Sequence, residues 1–404
     1  MFDMVLIAYF HFMRIRLYWL FIFLGITAVA FFGYQHFQEP ISYDFASEFD
    51  GNDYRNIYEY FTGMQSEFEV AFPFHQRILV PVLASLINSG DVLFDFQVVN
   101  LIFTLLSVWI TFLLWRQLGF ELKWFIAGFI WLLFHWTGLI RLNAFDPITV
   151  DVPLYFFQAL FIWLLLKRKF IHLLWLAPIA AVQKESFIAL LIVLMVYAWW
   201  HNLKTQEGFY DLPLIAASLV LSVVANSLVN GNLPPTEAGK GALITLGYHA
   251  KEAILNPFEL VRWLAAMAMA FGPALFIAFG RYTRSFRYDN TRNLLILFSL
   301  VYLAFGILAG GDMTRIIYLG FPFIATWIIY ELREVRTKQL LIIGLFSLPL
   351  MMLFSNIPNP AFEWDAWQSW YPEFTESGIV LVVLSYVLVM AFILNRMMRS
   401  SVSK

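Results

Sequence analysis

The chain has 404 residues, of which 61% are hydrophobic, 19% aromatic and 13% charged, with a mean hydropathy of +0.71. A soluble domain is about half apolar and about a quarter charged, so this composition describes an all-helical polytopic membrane protein instead. The net charge of -2, without a basic block, gives no ground for a nucleic-acid partner, and the lack of cysteine excludes disulfides, thiolate metal sites and cysteine nucleophiles.

Arg14 and Arg16 precede an apolar run, Leu17 to Tyr34, that contains Ala28-Val29-Ala30 and so resembles a cleavable signal. The run is longer than most signal cores, and it is read as an uncleaved first span. Runs long enough to cross about 30 Å of hydrocarbon then follow at 96–115, 124–142, 152–166, 171–183, 186–200, 212–229, 263–279, 293–309, 316–331, 339–354 and 378–395, after the first at 17–34. The expectation is about twelve transmembrane helices in one domain, 1–404, with the short pair 171–183 and 186–200 meeting at Gln183-Lys184-Glu185 as a broken hairpin.

Lys and Arg accumulate in cytoplasmic loops. With both termini inside, eighteen of the 26 basic residues are cytoplasmic, from Arg14 and Arg16 through Arg287 to Lys404, whereas only seven of the 28 acidic residues, Glu207 among them, lie on that side. This orientation requires that Arg77 to Asn88, about a dozen residues or roughly 18 Å as helix, lies at the outer interface instead of crossing. A second interfacial helix is expected around Asp53-Tyr54-Arg55-Asn56-Ile57-Tyr58-Glu59, with Asp53 as its N-cap. The stretch 35–95 is then an outer loop, and 230–262 and 355–377 are two more, the last with Trp364, Trp367, Trp370 and Tyr371. The implied location is the inner (cytoplasmic) membrane of a cell, spanned many times.

The loop from Tyr43 to Pro81 is dense in charge, with Asp44, Glu48, Asp50, Asp53, Arg55, Glu59, Glu67, Glu69, His75 and Arg77. A carboxylate at the lipid–water boundary can take a proton from an incoming hydroxyl, and Asp50 is the leading general base, with Asp53 the competing one. The same two residues also suit an Asx-turn and a helix cap in a solvated loop. The second loop carries Arg141, Asp146 and Asp151. Asp151 opens the next helix, where the dipole alone favours an acid, and Arg141 either holds a phosphate or snorkels to the headgroups. Lys184-Glu185 sits at the tip between two short apolar runs, as a phosphate-facing cation or as a self-neutralising surface pair. Gly310-Gly311-Asp312 makes a tight turn ahead of Arg315, which can fork two hydrogen bonds onto a phosphate. For His75 a structural hydrogen bond is the simpler role.

Carboxylates with Arg and Lys on one face suit chemistry on a lipid-linked phosphate: the cations neutralise the leaving group and a carboxylate activates the acceptor. The seven histidines, His11 among them, are scattered without metal-ligand spacing, and no P-loop, GxGxxG or GxSxG sequence occurs.

The acidic first loop, Asp50 to Ile57 as D-x-x-x-Y-x-x-I, resembles the integral-membrane GT-C type glycosyltransferases. The interfacial helix at Arg77 to Asn88, the R-x-x-x-x-D-P of Arg141, Asp146 and Pro147, and Lys184-Glu185-Ser186 are similar in order and placement. The likeness covers roughly the first 200 residues and includes no large soluble C-terminal domain. It implies transfer of a sugar from a polyprenyl-phosphate carrier to a glycan, lipid or protein acceptor on the outer face, as in cell-envelope polysaccharide biosynthesis. Asp50 is the implied base. Arg77, Arg141, Lys184 and Arg315 would hold the donor phosphate, and Asp146, Asp151, Glu185, His75 and Asp312 would position the acceptor. No cofactor is expected; a divalent metal is compatible with the resemblance but has no support in the residues. Two alternatives are an outer-face glycan polymerase or ligase that relies on Arg77, Arg141 and Arg315, and a lipid-linked-sugar transporter. The second is disfavoured because the spans are almost free of charge.

Overall fold

A computed structural model of the chain describes residues 16–45, 49–205, 210–236, 242–284, 289–372 and 374–400. His11, Arg14, Glu48, Glu207, Arg287 and Lys404, which entered the reading above, lie outside the described residues. The helices in chain order are α1 (Tyr18–Phe37), α2 (Gly51–Thr62), α3 (Leu79–Ile87), α4 (Val92–Gln117), α5 (Leu122–Phe134), α6 (Arg141–Phe145), α7 (Val152–Leu166), α8 (Leu173–Gln183) and α9 (Ser186–Thr205). They continue as α10 (Leu212–Asn232), α11 (Ala242–Leu255), α12 (Phe258–Tyr282), α13 (Asn290–Leu308), α14 (Met313–Leu319), α15 (Phe321–Leu332), α16 (Thr337–Ser347), α17 (Trp364–Gln368) and α18 (Ser377–Ser400). No strand occurs among the described residues.

Each of the twelve apolar stretches falls on a helix, but twelve crossings exceed what helix length supports. Among the described residues seven helices, α1, α4, α9, α10, α12, α13 and α18, are long and apolar enough to cross a membrane, and the pair α14–α15, bent by 71°, makes up to eight. The four remaining stretches are shorter: α5, α7, Phe170–Gln183 and Thr337–Met351. The 13 residues of α5 reach about 20 Å, short of a hydrocarbon core of about 30 Å. The stretch 124–142 is broken because the chain turns at His135–Ile140, with Gly138 so close to the carbonyls of Leu132 and His135 that a Cβ would lie 2.6–2.7 Å from them.

The helix of the first loop starts earlier than expected. Asp53 is not its N-cap: α2 begins at Gly51 after Asp50, and Asp53 lies in its first turn. Tyr54, Ile57 and Tyr58, at spacings of three and four, are its buried stripe. They join Ile41, Tyr43, Trp136, Trp367, Trp370 and Tyr371 in an apolar core separate from that of the main helical bundle. The expected interfacial helix at Arg77 to Asn88 is α3. The expected outer loops are partly helical, since 230–262 contains α11 and 355–377 contains α17.

The bundle itself packs α10 along α8, α4 along α7, and α12 along α18. In α12 the run is interrupted at Gly272, whose φ of 59° is left-handed, followed by Pro273. Proline has no N–H to offer the carbonyl of Met269, four residues back. That carbonyl is taken by His135 Nε2 at 3.0 Å, and the next, Ala270, by Trp131 Nε1 at 2.8 Å. His135 Nδ1 accepts from the Thr137 N–H at 3.2 Å, so its proton is on Nε2, where the Met269 carbonyl needs it.

The interruption in α12 is therefore stabilised from the α5 side. His135→Ala is expected to orphan the Met269 carbonyl and cost about 1–3 kcal/mol, read as a lowered unfolding temperature of the purified protein in detergent.

Candidate functional site

Five segments meet at one end of the bundle: the N-terminus of α2, the residues before α3, the loop between α6 and α7, the break between α8 and α9, and the start of α14. Their charged side chains form one buried network around Asp151. That residue precedes α7, yet its side chain makes no capping bond to the helix. It accepts instead from Lys184 Nζ at 2.6 Å and from Arg315 Nε at 2.8 Å, with Arg315 Nη2 at 2.6 Å. Asp151 does stand at the helix start as expected, and an ionic role is added to that placement. Burial alone would raise the Asp151 carboxyl, but Arg315 and then Lys184 outweigh it and hold the group well below the usual carboxylate range. Burial lowers Lys184 from its ordinary value, with Asp151 opposing.

A second pair lies beside the first. Arg77 forks onto Glu185, Nε to Oε2 at 3.0 Å and Nη2 to Oε1 at 2.6 Å, and its Nη1 donates to the Tyr54 hydroxyl at 3.1 Å. Lys184 and Glu185 do not neutralise each other as a surface pair, since each turns to a different partner across the break. Arg315 also reaches Asp312 at 3.3 Å.

Asp50 is the exception in this network. It is half-buried and lies within electrostatic reach of Arg77, Arg315, Asp53, Asp146 and Asp312. Its backbone is already helical, with φ −51° and ψ −27°, so its side chain makes no cap bond. Among the described residues the Asp50 carboxylate has no hydrogen bond or ion pair, which leaves both oxygens for a substrate. Asp146, 6% exposed, accepts from the Tyr43 hydroxyl at 2.5 Å. Burial pushes its carboxyl up to about 7, against the opposing pull of Arg315 and the Tyr43 hydrogen bond.

The other sequence candidates are placed differently. Asp53 accepts from the Ala71 N–H at 2.9 Å and so ties α2 to the irregular stretch before Phe74; burial raises its carboxyl, and the Ala71 bond opposes this. His75 meets Asn230 through Nε2 at 2.6 Å, the structural bond expected of it, and burial lowers its imidazole. Arg141 neither faces the network nor snorkels. It is 2% exposed, donates to the carbonyls of Met351 at 2.8 Å, Ser355 at 2.6 Å and Phe134 at 3.3 Å, and lies over the Tyr34 ring. Its guanidinium caps chain ends that would otherwise bury unpaired carbonyls. The sequence reading overlooked Tyr43, although it opens the charged loop, and quoted Tyr54 only as part of a pattern.

Among the described residues no three His, Asp or Glu side chains group so as to hold a metal ion. An apolar cavity of about 350 Å³ lies not beneath the first loop but between α18, Met269 of α12 and the segments 349–352 and 369–375, with Leu350, Met352, Trp370, Ile379 and Tyr386 in its walls. No protein-family model, curated protein or solved structure matches the chain.

Asp151→Asn leaves the half-buried Lys184 without its counter-ion and Arg315 with Asp312 alone, and a loss of about 1–3 kcal/mol is expected. The carboxyls give opposite pH slopes. Asp151, depressed in the fold, contributes stability that is full above its ordinary value of 3.8 and is lost as pH falls below it. Asp146, raised in the fold, makes stability fall as pH rises from 3.8 to about 7, because the unfolded chain releases that proton first. Thermal unfolding of Asp146→Asn between pH 4 and 7 is expected to lack this fall.

Proposed function

We propose that the chain is a membrane glycosyltransferase of the GT-C type, which passes a sugar from a polyprenyl-phosphate carrier to a hydroxyl of a glycan, lipid or protein on the outer face of the membrane. The observation that carries this reading is Asp50: a carboxylate without a hydrogen bond or ion pair among the described residues, set in a network that holds Arg77, Lys184 and Arg315. In the proposed reaction Asp50 takes the proton of the acceptor hydroxyl as its oxygen attacks the anomeric carbon, and the carbon–oxygen bond to the carrier phosphate breaks with its electrons on the phosphate. Lys184 and Arg315 stabilise that developing charge by turning from Asp151 towards it. Arg77, held by Glu185 and Tyr54, fixes the wall beside Asp50.

The full-length topology belongs to the same reading. On this reading the four shorter apolar helices, too short by length alone, cross together with the seven long helices and the bent pair, with both termini cytoplasmic and the site outside. The apolar cavity bounded by Trp370 and Tyr386 offers room for part of the carrier's hydrocarbon chain. The arginine-dependent alternative draws less support, because Arg141 is committed to three backbone carbonyls. A transporter reading draws less still, since the network lies in the loops at one end of the bundle instead of within the spans.

Asp50→Asn is expected to abolish transfer from a polyprenyl-phosphate sugar while leaving expression and thermal unfolding unchanged; full transfer by both Asp50→Asn and Asp53→Asn sinks the reading. Because the chain has no cysteine, single thiols report sidedness cleanly. Glu67→Cys is expected to react with a membrane-impermeant maleimide in intact cells, and Lys338→Cys only after permeabilisation.

A further inference from the structure

The acid at the second loop is aimed by a tyrosine from the first. Tyr43 is 4% exposed, and its hydroxyl makes two bonds: it accepts from the Ile148 N–H at 2.9 Å and donates to Asp146 Oδ1 at 2.5 Å. A phenol has one proton. Since the backbone amide can only donate, the Tyr43 proton is committed to Asp146. Oδ1 is therefore an acceptor whether Asp146 is ionised or not, and any proton that Asp146 carries is on Oδ2. No hydrogen bond occupies that second oxygen among the described residues.

The ring of Tyr43 is located as tightly as its hydroxyl. It lies against Gly51, where a Cβ would come within 2.2 Å of Cε1. Such a contact leaves no room for any other residue at position 51 unless the ring moves. The Arg55 guanidinium lies 5.5 Å from the ring centroid, and the Tyr43 carbonyl accepts from Asn52 Nδ2 at 3.3 Å. Gly51, Asn52 and Arg55 all belong to the first turns of α2, directly after Asp50. Ile41 N donates to the Phe145 carbonyl at 2.7 Å, joining the same two loops one step away. Tyr43 thus touches the helix that carries Asp50 and the loop that carries Asp146.

We propose that Tyr43 is a positioning residue, seated in the notch at Gly51, which fixes Asp146 so that Oδ2 alone is presented to the acceptor hydroxyl beside Asp50. This rests on the glycosyltransferase reading and deepens it: the acceptor is a group with a hydroxyl that donates to Asp50 and a second polar hydrogen or oxygen that meets Asp146. The groups facing Asp146 electrostatically are Arg315, Tyr43, Asp50 and Asp151. Three of them come from other segments, so the orientation of Asp146 depends on the assembled site.

The test needs no substrate. Infrared difference spectra of the full-length protein in lipid nanodiscs, recorded through a pH titration, are expected to show a carboxylic C=O band that is missing in Asp146→Asn. Tyr43→Phe, which removes one oxygen and keeps the ring, is expected to move that band to higher frequency, because its C=O loses a donor. The midpoint moves to higher pH, because that hydrogen bond favours the ionised form. Gly51→Ala, which pushes the ring away, is expected to shift the band in the same direction, while Tyr43→Phe keeps the unfolding temperature close to that of the wild type. A band that is unchanged in both variants, or that survives in Asp146→Asn, overturns the positioning role. A parallel assay with a polyprenyl-phosphate sugar separates the two ideas. Transfer lowered by about ten- to a hundredfold in Tyr43→Phe supports both, whereas a shifted band without transfer by the wild type keeps the role of Tyr43 and removes the glycosyltransferase.

Discussion

The Asp151 carboxylate is the point on which this end of the helical bundle depends. It is 3% exposed and receives a lysine from the break between α8 and α9 and an arginine from the start of α14. Two cations on one buried carboxylate leave an excess of positive charge, which Asp312, one turn before Arg315, offsets, while Glu185 is matched by Arg77. Burying such charges is unfavourable unless each is paired and hydrogen-bonded, so the ions in turn dictate where these helix ends sit. The loop polar groups and the helix ends are thus one structure.

That arrangement explains why cations so well placed for a phosphate are not bare. Arg77, Lys184 and Arg315 all have protein partners. On the proposed reading the anion exchanges with Asp151 instead of entering an empty positive pocket, and the site stays folded between turnovers. A loose lysine and arginine at a lipid boundary would repel each other and seek water or lipid headgroups. On the same proposed reading Asp50 follows the opposite logic, since a base must keep an oxygen uncommitted to accept a proton.

The bundle beneath is shaped by interruptions as much as by long helices. The φ of 59° at Gly272 and the missing N–H of Pro273 break α12, the turn at Gly138 ends α5, and the 71° bend separates α14 from α15. The breaks in α12 and at the end of α5 expose carbonyls that find side-chain donors: His135 and Trp131 for α12, and Arg141 for Phe134, with Met351 as a further acceptor of Arg141. In a low-dielectric surrounding an unpaired carbonyl is costly enough that an arginine is retained to satisfy three of them. This is why Arg141, which in sequence has the look of a phosphate ligand, is a structural residue.

The sequence by itself determined the membrane class, the presence of a helix in each of the twelve apolar stretches, the helix at Leu79–Ile87 and the segments that carry the polar network. These follow from local quantities: apolar run length, the period of buried residues such as Tyr54, Ile57 and Tyr58, and the rarity of charge in a chain that is 13% charged. Only the tertiary structure decided which charges face one another. Asp151 could be a helix start or an ion-pair centre, Arg141 a phosphate ligand or a carbonyl cap, and Asp53 a base or a strap to Ala71, with the same local sequence in each case. The difference lies in partners more than a hundred residues away for Arg315 and Arg141, and long-range pairing leaves no period or composition to read. Gly51 is the smallest instance: a glycine between two acids in sequence, and in the fold the notch that seats Tyr43 beside Asp50.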